Sequence, residues 1–169
     1  FGTFDGNNHS ITDININSPL IGGYNSLFGY VNGRIINLTL SYKIENFDAL
    51  TSRSVQYFGA ISYLVKGFVK NVKAEGVVEA KVNSGIVGGL VAYLEDSIVE
   101  SSNAKASISM NANTPTSYIG GCIGVSLTSF IRRCYSEVSI SSKAEKYATY
   151  AGFIAKNQGV IEDAYAITT

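Results

Sequence analysis

The sequence predicts an all-β chain wound as a parallel β-helix, a solenoid of about five to six coils of ~30 residues. Three observations predict it. A self-similar segment recurs about every thirty residues, the strands alternate apolar and polar residues at period two, and no stretch sustains helical periodicity over three turns.

Each repeat joins a small or glycine-led apolar step, a short turn and a strand led by Ile or Val. The steps are Ser26-Leu27-Phe28, Phe58-Gly59-Ala60-Ile61, Gly88-Gly89-Leu90-Val91, Gly120-Gly121-Cys122-Ile123 and Ala151-Gly152-Phe153-Ile154. The strands start at Ile35, Val69, Val99, Ile131 and Ile161, with an earlier partial copy starting at Ile11. Those origins lie 24, 34, 30, 32 and 30 residues apart. A period in that range means stacked units, none of which can bury its apolar face alone. Three strands of about six to eight residues per coil would close a triangular turn, each strand pairing with its equivalent ~4.8 Å along the axis.

The columns of the repeat support stacking. The lead position is always β-branched and is expected inside. Leu38, Val72, Ser102, Cys134 and Ala164 form a second column, small to medium and mostly apolar, and Leu40, Ala74, Ala104, Ser136 and Ala166 a third, whose small side chains suit a crowded corner. Between them, Lys70, Glu100, Arg132 and Glu162 alternate in sign on an expected outer face, each contact worth a few tenths of a kcal/mol. Val77-Val78-Glu79-Ala80-Lys81-Val82, Ala106-Ser107-Ile108-Ser109-Met110 and Val138-Ser139-Ile140-Ser141 read as strands. The Gly88-Gly89 and Gly120-Gly121 pairs are expected at sharp turns where a Cβ would clash. Pro19 and Pro115 fall between strands, and the lengths that vary lie at 45–56 and 111–117.

Composition narrows the role. Thirteen basic and thirteen acidic residues cancel, so no whole-chain field draws the molecule to nucleic acid or an anionic membrane. Charged residues make up only 15% of the chain, so Ser, Thr, Asn and Tyr must cover much of the exterior, as in β-rich secreted proteins. No apolar run approaches the ~20 residues of a membrane-spanning helix. The chain opens inside a repeat and ends one strand into the last copy. We therefore expect residues 1–169 to be one β-helix segment of a larger protein, cut inside the array at both ends, whose open strand edges favour end-to-end association. Cys122 and Cys134 have apolar neighbours that suit buried thiols; a disulfide stays open, and would need Cα atoms within ~7 Å.

Phe1-Gly2-Thr3-Phe4-Asp5-Gly6-Asn7-Asn8-His9-Ser10-Ile11, followed by Leu27-Phe28-Gly29-Tyr30-Val31, resembles the start of a GLUG-type repeat array. Val87-Gly88-Gly89-Leu90-Val91 and Ile119-Gly120-Gly121-Cys122-Ile123-Gly124 are similar to that motif's glycine core, and Ile131-Arg132-Arg133-Cys134-Tyr135-Ser136 to the strand after it. Phe58-Gly59-Ala60 departs by carrying one glycine where two are usual, and Ser101-Ser102 by replacing an Asn-apolar pair. The resemblance implies a right-handed parallel β-helix. It also implies a bacterial surface or secreted protein, either adhesin-like or like the N-terminal region of immunoglobulin A1-cleaving zinc metallopeptidases. It implies no catalytic residue inside the repeats.

The residues themselves offer little chemistry. His9 is the single histidine, so the segment cannot hold the paired histidines of a zinc protease, and it reads as a polar turn residue rather than part of a triad with Asp5 and Ser10 or Ser26. Gly22-Gly23 and Gly88-Gly89 lack the following helix that a phosphate cradle needs. The acidic residues are dispersed, so Glu95-Asp96 and Glu162-Asp163 read as solvated turns or ladders. Asp5, Asp13, Asn7 and Asn8 read as turn chemistry before they read as a calcium site. No cofactor or metal is expected. Asn37-Leu38-Thr39 and Asn8-His9-Ser10 match the glycosylation sequon but carry little meaning in a bacterial protein. Phe28, Phe58 and Phe153 are expected in the core.

Tyr135 and Tyr165 share a column with Thr39, Lys73 and Asn103 and are expected outside, where a tyrosine pair can stack on a glycan or anchor a protein. Ordinary β-sheet surface is the competing account of the same pair. The expected role is an extracellular, non-catalytic stalk or binding segment that meets a host or cell-surface protein or glycan, at Tyr135 and Tyr165 or at 45–56. It would sit beside further domains of its own chain. Two alternatives are a substrate-holding or spacer region of a secreted zinc metallopeptidase, and a carbohydrate-active β-helix with two carboxylates within ~10 Å in a groove.

Overall fold

A β-branched column that recurs every thirty residues is buried only when successive copies lie directly above one another, and the chain is folded that way. The computed structural model describes residues 2–17, 23–49, 54–112, 114, 116–142 and 148–169, so Phe1, Pro19, Gly22 and Pro115 lie outside the described residues. Among the described residues there is no helix, and parallel strands stack as a β-solenoid of about five turns. The first turn holds β1 (Gly2–Asn17), β2 (Tyr24–Asn25) and β3 (Phe28–Val31). The second holds β4 (Gly33–Ala49), β5 (Gln56–Gly59) and β6 (Ser62–Val65), the third β7 (Phe68–Val82), β8 (Gly85–Gly88) and β9 (Val91–Glu95). In the fourth, the long strand divides into β10 (Ile98–Glu100) and β11 (Asn103–Ala112), followed by β12 (Tyr118–Gly120) and β13 (Ile123–Arg132). The stack is completed by β14 (Tyr135–Ser141), β15 (Thr149–Ala151), β16 (Ile154–Glu162) and β17 (Tyr165–Thr168). A twelve-stranded sheet forms the longer sides, and β15-β12-β8-β5-β2 form a short five-stranded side.

The lead row runs Phe4, Ile35, Val69, Val99, Ile131, Ile161, each paired with the next. Val69, Val99 and Ile131 are fully buried in it. The first copy therefore starts at Phe4, 31 residues before Ile35, and not at Ile11, which pairs with Leu40 in the third column. An aromatic residue in the lead position, and a register shift between Asp5 and His9, hide that origin from the repeat. The third column continues through Leu40, Ala74, Ala104, Ser136 and Ala166 as expected.

The sides are less equal than strands of six to eight residues would make them. β4 and β7 run 17 and 15 residues because each bends at one left-handed residue, Asn37 or Asn71, which drops out of the ladder while the β4–β7 register carries on beyond it. Those bends are Asn37, Asn71, Ser101, Arg133 and Asp163, with φ of 50–54°. Asparagine and aspartate visit this region at low cost because their short side chains bond locally. Here they also bond along the axis. Asn71 Nδ2 donates to Asn37 Oδ1 at 3.1 Å, and Asn37 Nδ2 to Asp5 Oδ1 at 3.1 Å. Asp5 also accepts the Asn7 backbone N–H, and that bond, followed by the Asn37 amide, holds its carboxyl below the usual range. The bends are thus set by polar residues, and no glycine among the described residues has positive φ. Gly88 and Gly120 serve close approach instead. A Cβ on Gly88 would meet the carbonyl oxygens of Val91 and Cys122, and one on Gly120 that of Ile123. The 45–56 stretch is strand as far as Ala49 rather than loop, and 50–53 lie outside the described residues. At 111–117, Asn111 and Ala112 likewise belong to β11.

Phe58 is fully buried; Phe28 and Phe153 pack against the core half-buried. Tyr42 also points inward, where its hydroxyl donates to the Gly89 carbonyl at 2.9 Å. Cys122 and Cys134 are free, buried thiols. Burial pushes the Tyr42 phenol and the Cys122 thiol far up, each helped by a neighbouring thiol, and burial raises Cys134 as well. The native state therefore keeps protons that the unfolded chain releases. Stability from these groups is complete below the ordinary thiol pKa of about 8.5 and declines as pH rises beyond it. We expect a flat melting temperature between pH 6 and 8, a fall by pH 10–11, and a shallower alkaline slope in Tyr42→Phe. A melting temperature at pH 10 equal to that at pH 7 would show that these burials are not linked to folding.

Candidate functional site

Residues that alternate out of the core on the long side of the solenoid form rows along the rod. One row is Ser10, Thr39, Lys73, Asn103, Tyr135, Tyr165, paired throughout, so the column read from the repeat is the column in space. Tyr135 and Tyr165 are brought together in it. Their rings are stacked, with centroids 5.2 Å apart and planes 6° from parallel. Two rings in register on adjacent strands sit near the strand spacing, so they cover each other's faces and present edges and hydroxyls outward. Tyr165 is the more exposed of the two.

The neighbouring row is Ser41, Glu75, Lys105, Glu137, Ile167. Lys105 Nζ lies 3.6 Å from Glu75 Oε1 and 3.9 Å from Glu137 Oε1, so those two oxygens are at most 7.5 Å apart. Thr39, Lys73, Asn103, Tyr135 and this acid–base–acid ladder line a depression of about 220 Å³. The ladder gives the same coil-by-coil sign alternation as Lys70, Glu100 and Arg132, one outward column further along the repeat. All three of its side chains are about half exposed or more.

The other charge column differs from expectation. Glu100 occupies an outward position on β10, yet its side chain is only 4% exposed. Lys70 Nζ and Arg132 Nη2 reach Glu100 Oε2 at 3.7 and 3.2 Å, and Arg133 pairs with Oε1. Three long side chains lie over one carboxylate and exclude water from it. Period-two alternation gives the direction of a side chain but not what its neighbours place above it.

A second aromatic group was not legible. Tyr24, Tyr57 and Tyr63 contact one another, with centroids 4.1 to 6.1 Å apart, where the outer faces of the short side and of β6 meet. Burial raises the Tyr57 hydroxyl, and the Tyr24, Tyr93 and Tyr63 hydroxyls add to the shift. Ile86, Ala92 and Val125 are buried beneath this seam as a small second core. The available signal was that Tyr24 and Tyr57 each immediately precede a buried residue of the short side, Asn25 and Phe58.

The remaining candidates disperse. His9 is exposed on β1, opposite Leu38. The Asp13 N–H bonds Ser41 Oγ at 3.0 Å, and Glu95 pairs with Lys66 at 2.9 Å. Among the described residues no three His, Cys, Asp or Glu side chains gather as a metal would require, and no helix is long and apolar enough to cross a membrane. Comparison of the chain with protein-family models, with curated proteins and with solved structures gives no match.

Proposed function

We propose that this segment is a non-catalytic β-solenoid stalk or binding segment of a bacterial surface or secreted protein, adhesin-like, with its contact face around Tyr135 and Tyr165. The observation that carries this reading is the row containing the stacked tyrosines, with Asn103, Lys73 and Thr39 beside the 220 Å³ depression. Amide, ammonium, hydroxyl and phenol groups held at fixed strand spacing can make several hydrogen bonds to a polar ligand without ordering a loop first. The resemblance to GLUG-type arrays supports the cell-surface setting.

The test uses beads coated with the 169-residue chain on cultured epithelial cells. Retention above that of uncoated beads is expected, with loss in a Tyr135→Ala/Tyr165→Ala chain that still melts cooperatively. Pretreating the cells with protease or with glycosidases tells a protein receptor from a glycan. Equal retention of coated and uncoated beads would remove the adhesive reading.

One observation favours a second reading. The Glu75 and Glu137 oxygens, at most 7.5 Å apart, are inside the upper limit of about 9.5 Å for paired carboxyls that hydrolyse glycosides. Such a pair needs one carboxyl kept protonated by an apolar setting, whereas these are open to solvent and share one lysine. Release of reducing ends from a polysaccharide by the chain, abolished in Glu75→Gln and Glu137→Gln, would overturn the non-catalytic reading.

A further inference from the structure

The side of the rod that carries the lead strands has an arrangement that the foregoing reading does not use. Phe68, Ile98, Phe130 and Val160 form one outward row in continuous register, with Arg34 next above Phe68. Among the described residues, most of the exposed large apolar side chains lie in the first or last turn. Ile98 is different. Its strand is paired on both sides, by β7 and β13, and it is nonetheless 43% exposed. Two positions along the same three-residue strand, the carboxylate of Glu100 is buried. The usual placement of an apolar and a charged residue is inverted.

Cations frame the row. The Arg34 guanidinium lies over the Phe68 ring, 5.2 Å from its centroid, and that of Arg132 over Phe130 at 5.8 Å. Lys70, Arg132 and Arg133 keep 42–55% of their side chains exposed while the one carboxylate between them is covered. The Glu100 cluster therefore carries two more positive charges than negative, on a chain of zero net charge. Asp5 at one end of this face and Glu162 and Asp163 at the other bound the patch. Contact with the rings holds both guanidinium groups beside the row, Arg34 with its charge uncommitted to Glu100 and Arg132 with one nitrogen on it, where they can meet further carboxylates.

We infer that the Phe68–Ile98–Phe130 row, with Arg34, Lys70, Arg132 and Arg133, is a docking surface for an acidic peptide segment that carries apolar or aromatic side chains. Charge complementarity selects the acid, and Ile98, exposed between the half-buried Phe68 and Phe130, selects the apolar anchor. A strip one side chain wide and about 14 Å long, at ~4.8 Å per coil, is too narrow to enter a bilayer. An anionic polysaccharide would leave Ile98 uncovered.

The probe is the random copolymer poly(Glu,Tyr), with poly(Glu), poly(Lys,Tyr), heparin and phosphatidylserine vesicles as comparisons, each titrated against the full chain at physiological salt. Binding to poly(Glu,Tyr) is expected to be at least tenfold tighter than to poly(Glu) and absent for poly(Lys,Tyr). It should fall at least tenfold in Ile98→Ser and in Arg34→Glu, two surface changes that leave the Glu100 cluster intact, with unchanged melting temperatures. Tyr165→Ala, on another side of the rod, should bind as the parent does. Equal affinity for poly(Glu) and poly(Glu,Tyr), indifference to Ile98→Ser, or a preference for heparin or the vesicles would each overturn the proposal.

Discussion

Replacing Gly88 by alanine is expected to cost more than about 3 kcal/mol and to leave the chain largely unfolded at 37 °C. The backbone angle is not the obstacle, because φ at this residue is one that alanine adopts freely. The obstacle is space. The added Cβ would lie inside the contact radius of the Val91 carbonyl oxygen within its own step and of the Cys122 carbonyl oxygen one coil away. Both are backbone atoms held by the stack, since Val91 pairs with Ser62 and Ile123 and the Cys122 carbonyl accepts the Leu90 and Val91 N–H groups. No side chain can swing aside, so relief requires separating strands in two coils. Gly120→Ala repeats the experiment one coil further, against the Ile123 carbonyl, and should match it. Gly29→Ala is the control, because its Cβ would meet only the Tyr63 ring, at 3.9 Å. That change should stay within about 1 kcal/mol of the parent, helped by a less mobile unfolded chain. Circular dichroism and thermal melts of the three variants decide the matter. A cooperative Gly88→Ala chain melting within 3 °C of the parent would show that the step can open without cost.

What the sequence displayed, and what it concealed, follow from how a parallel solenoid is read. Stacked coils place equivalent residues side by side, so aligning copies by eye is the same operation as pairing strands. For that reason the lead row, the alanine-rich third column and the Thr39–Tyr165 row are legible in the sequence. The bends were not. Glycine pairs advertise turns, yet the bends of the lead strands are made by Asn37, Asn71, Ser101, Arg133 and Asp163, of which only the asparagines and the aspartate carry a local signal for that conformation. Phe4 concealed the first copy because an aromatic residue stands in a β-branched column. Tyr42 was equally hidden. It is a tyrosine among inward positions, and its ring is admitted because Gly76 beside it and Gly89 across the interior bring no side chain. For the candidate site, the column of Tyr135 and Tyr165 was predictable but their mutual stacking was not, since ring orientation depends on rotamers that spacing does not encode. The Glu75–Lys105–Glu137 ladder was readable by the same sign alternation that drew attention to Lys70, Glu100 and Arg132.

The second large effect is expected at Glu100. A buried carboxylate loses its hydration on folding and recovers that loss only through its partners. Here the partners are three, and they keep about half of their own side chains in water. Removing the acid strands no cation in a dry interior, because each can turn outward, so the penalty falls below the 3–5 kcal/mol typical when a fully buried pair is broken. What remains is an amide without strong partners and mutual repulsion among Lys70, Arg132 and Arg133, together about 2–3 kcal/mol for Glu100→Gln. For a chain of this length that corresponds to a fall of roughly 5–10 °C in melting temperature. Single replacement of Lys70 or Arg133 by alanine should cost much less, since two cations still cover the carboxylate. That asymmetry identifies the mechanism, because an exposed ion-pair ladder would respond about equally to loss of either sign. A Glu100→Gln melting temperature within 2 °C of the parent, or a larger loss in Lys70→Ala, would return this column to the ordinary surface ladder that its alternating signs suggest.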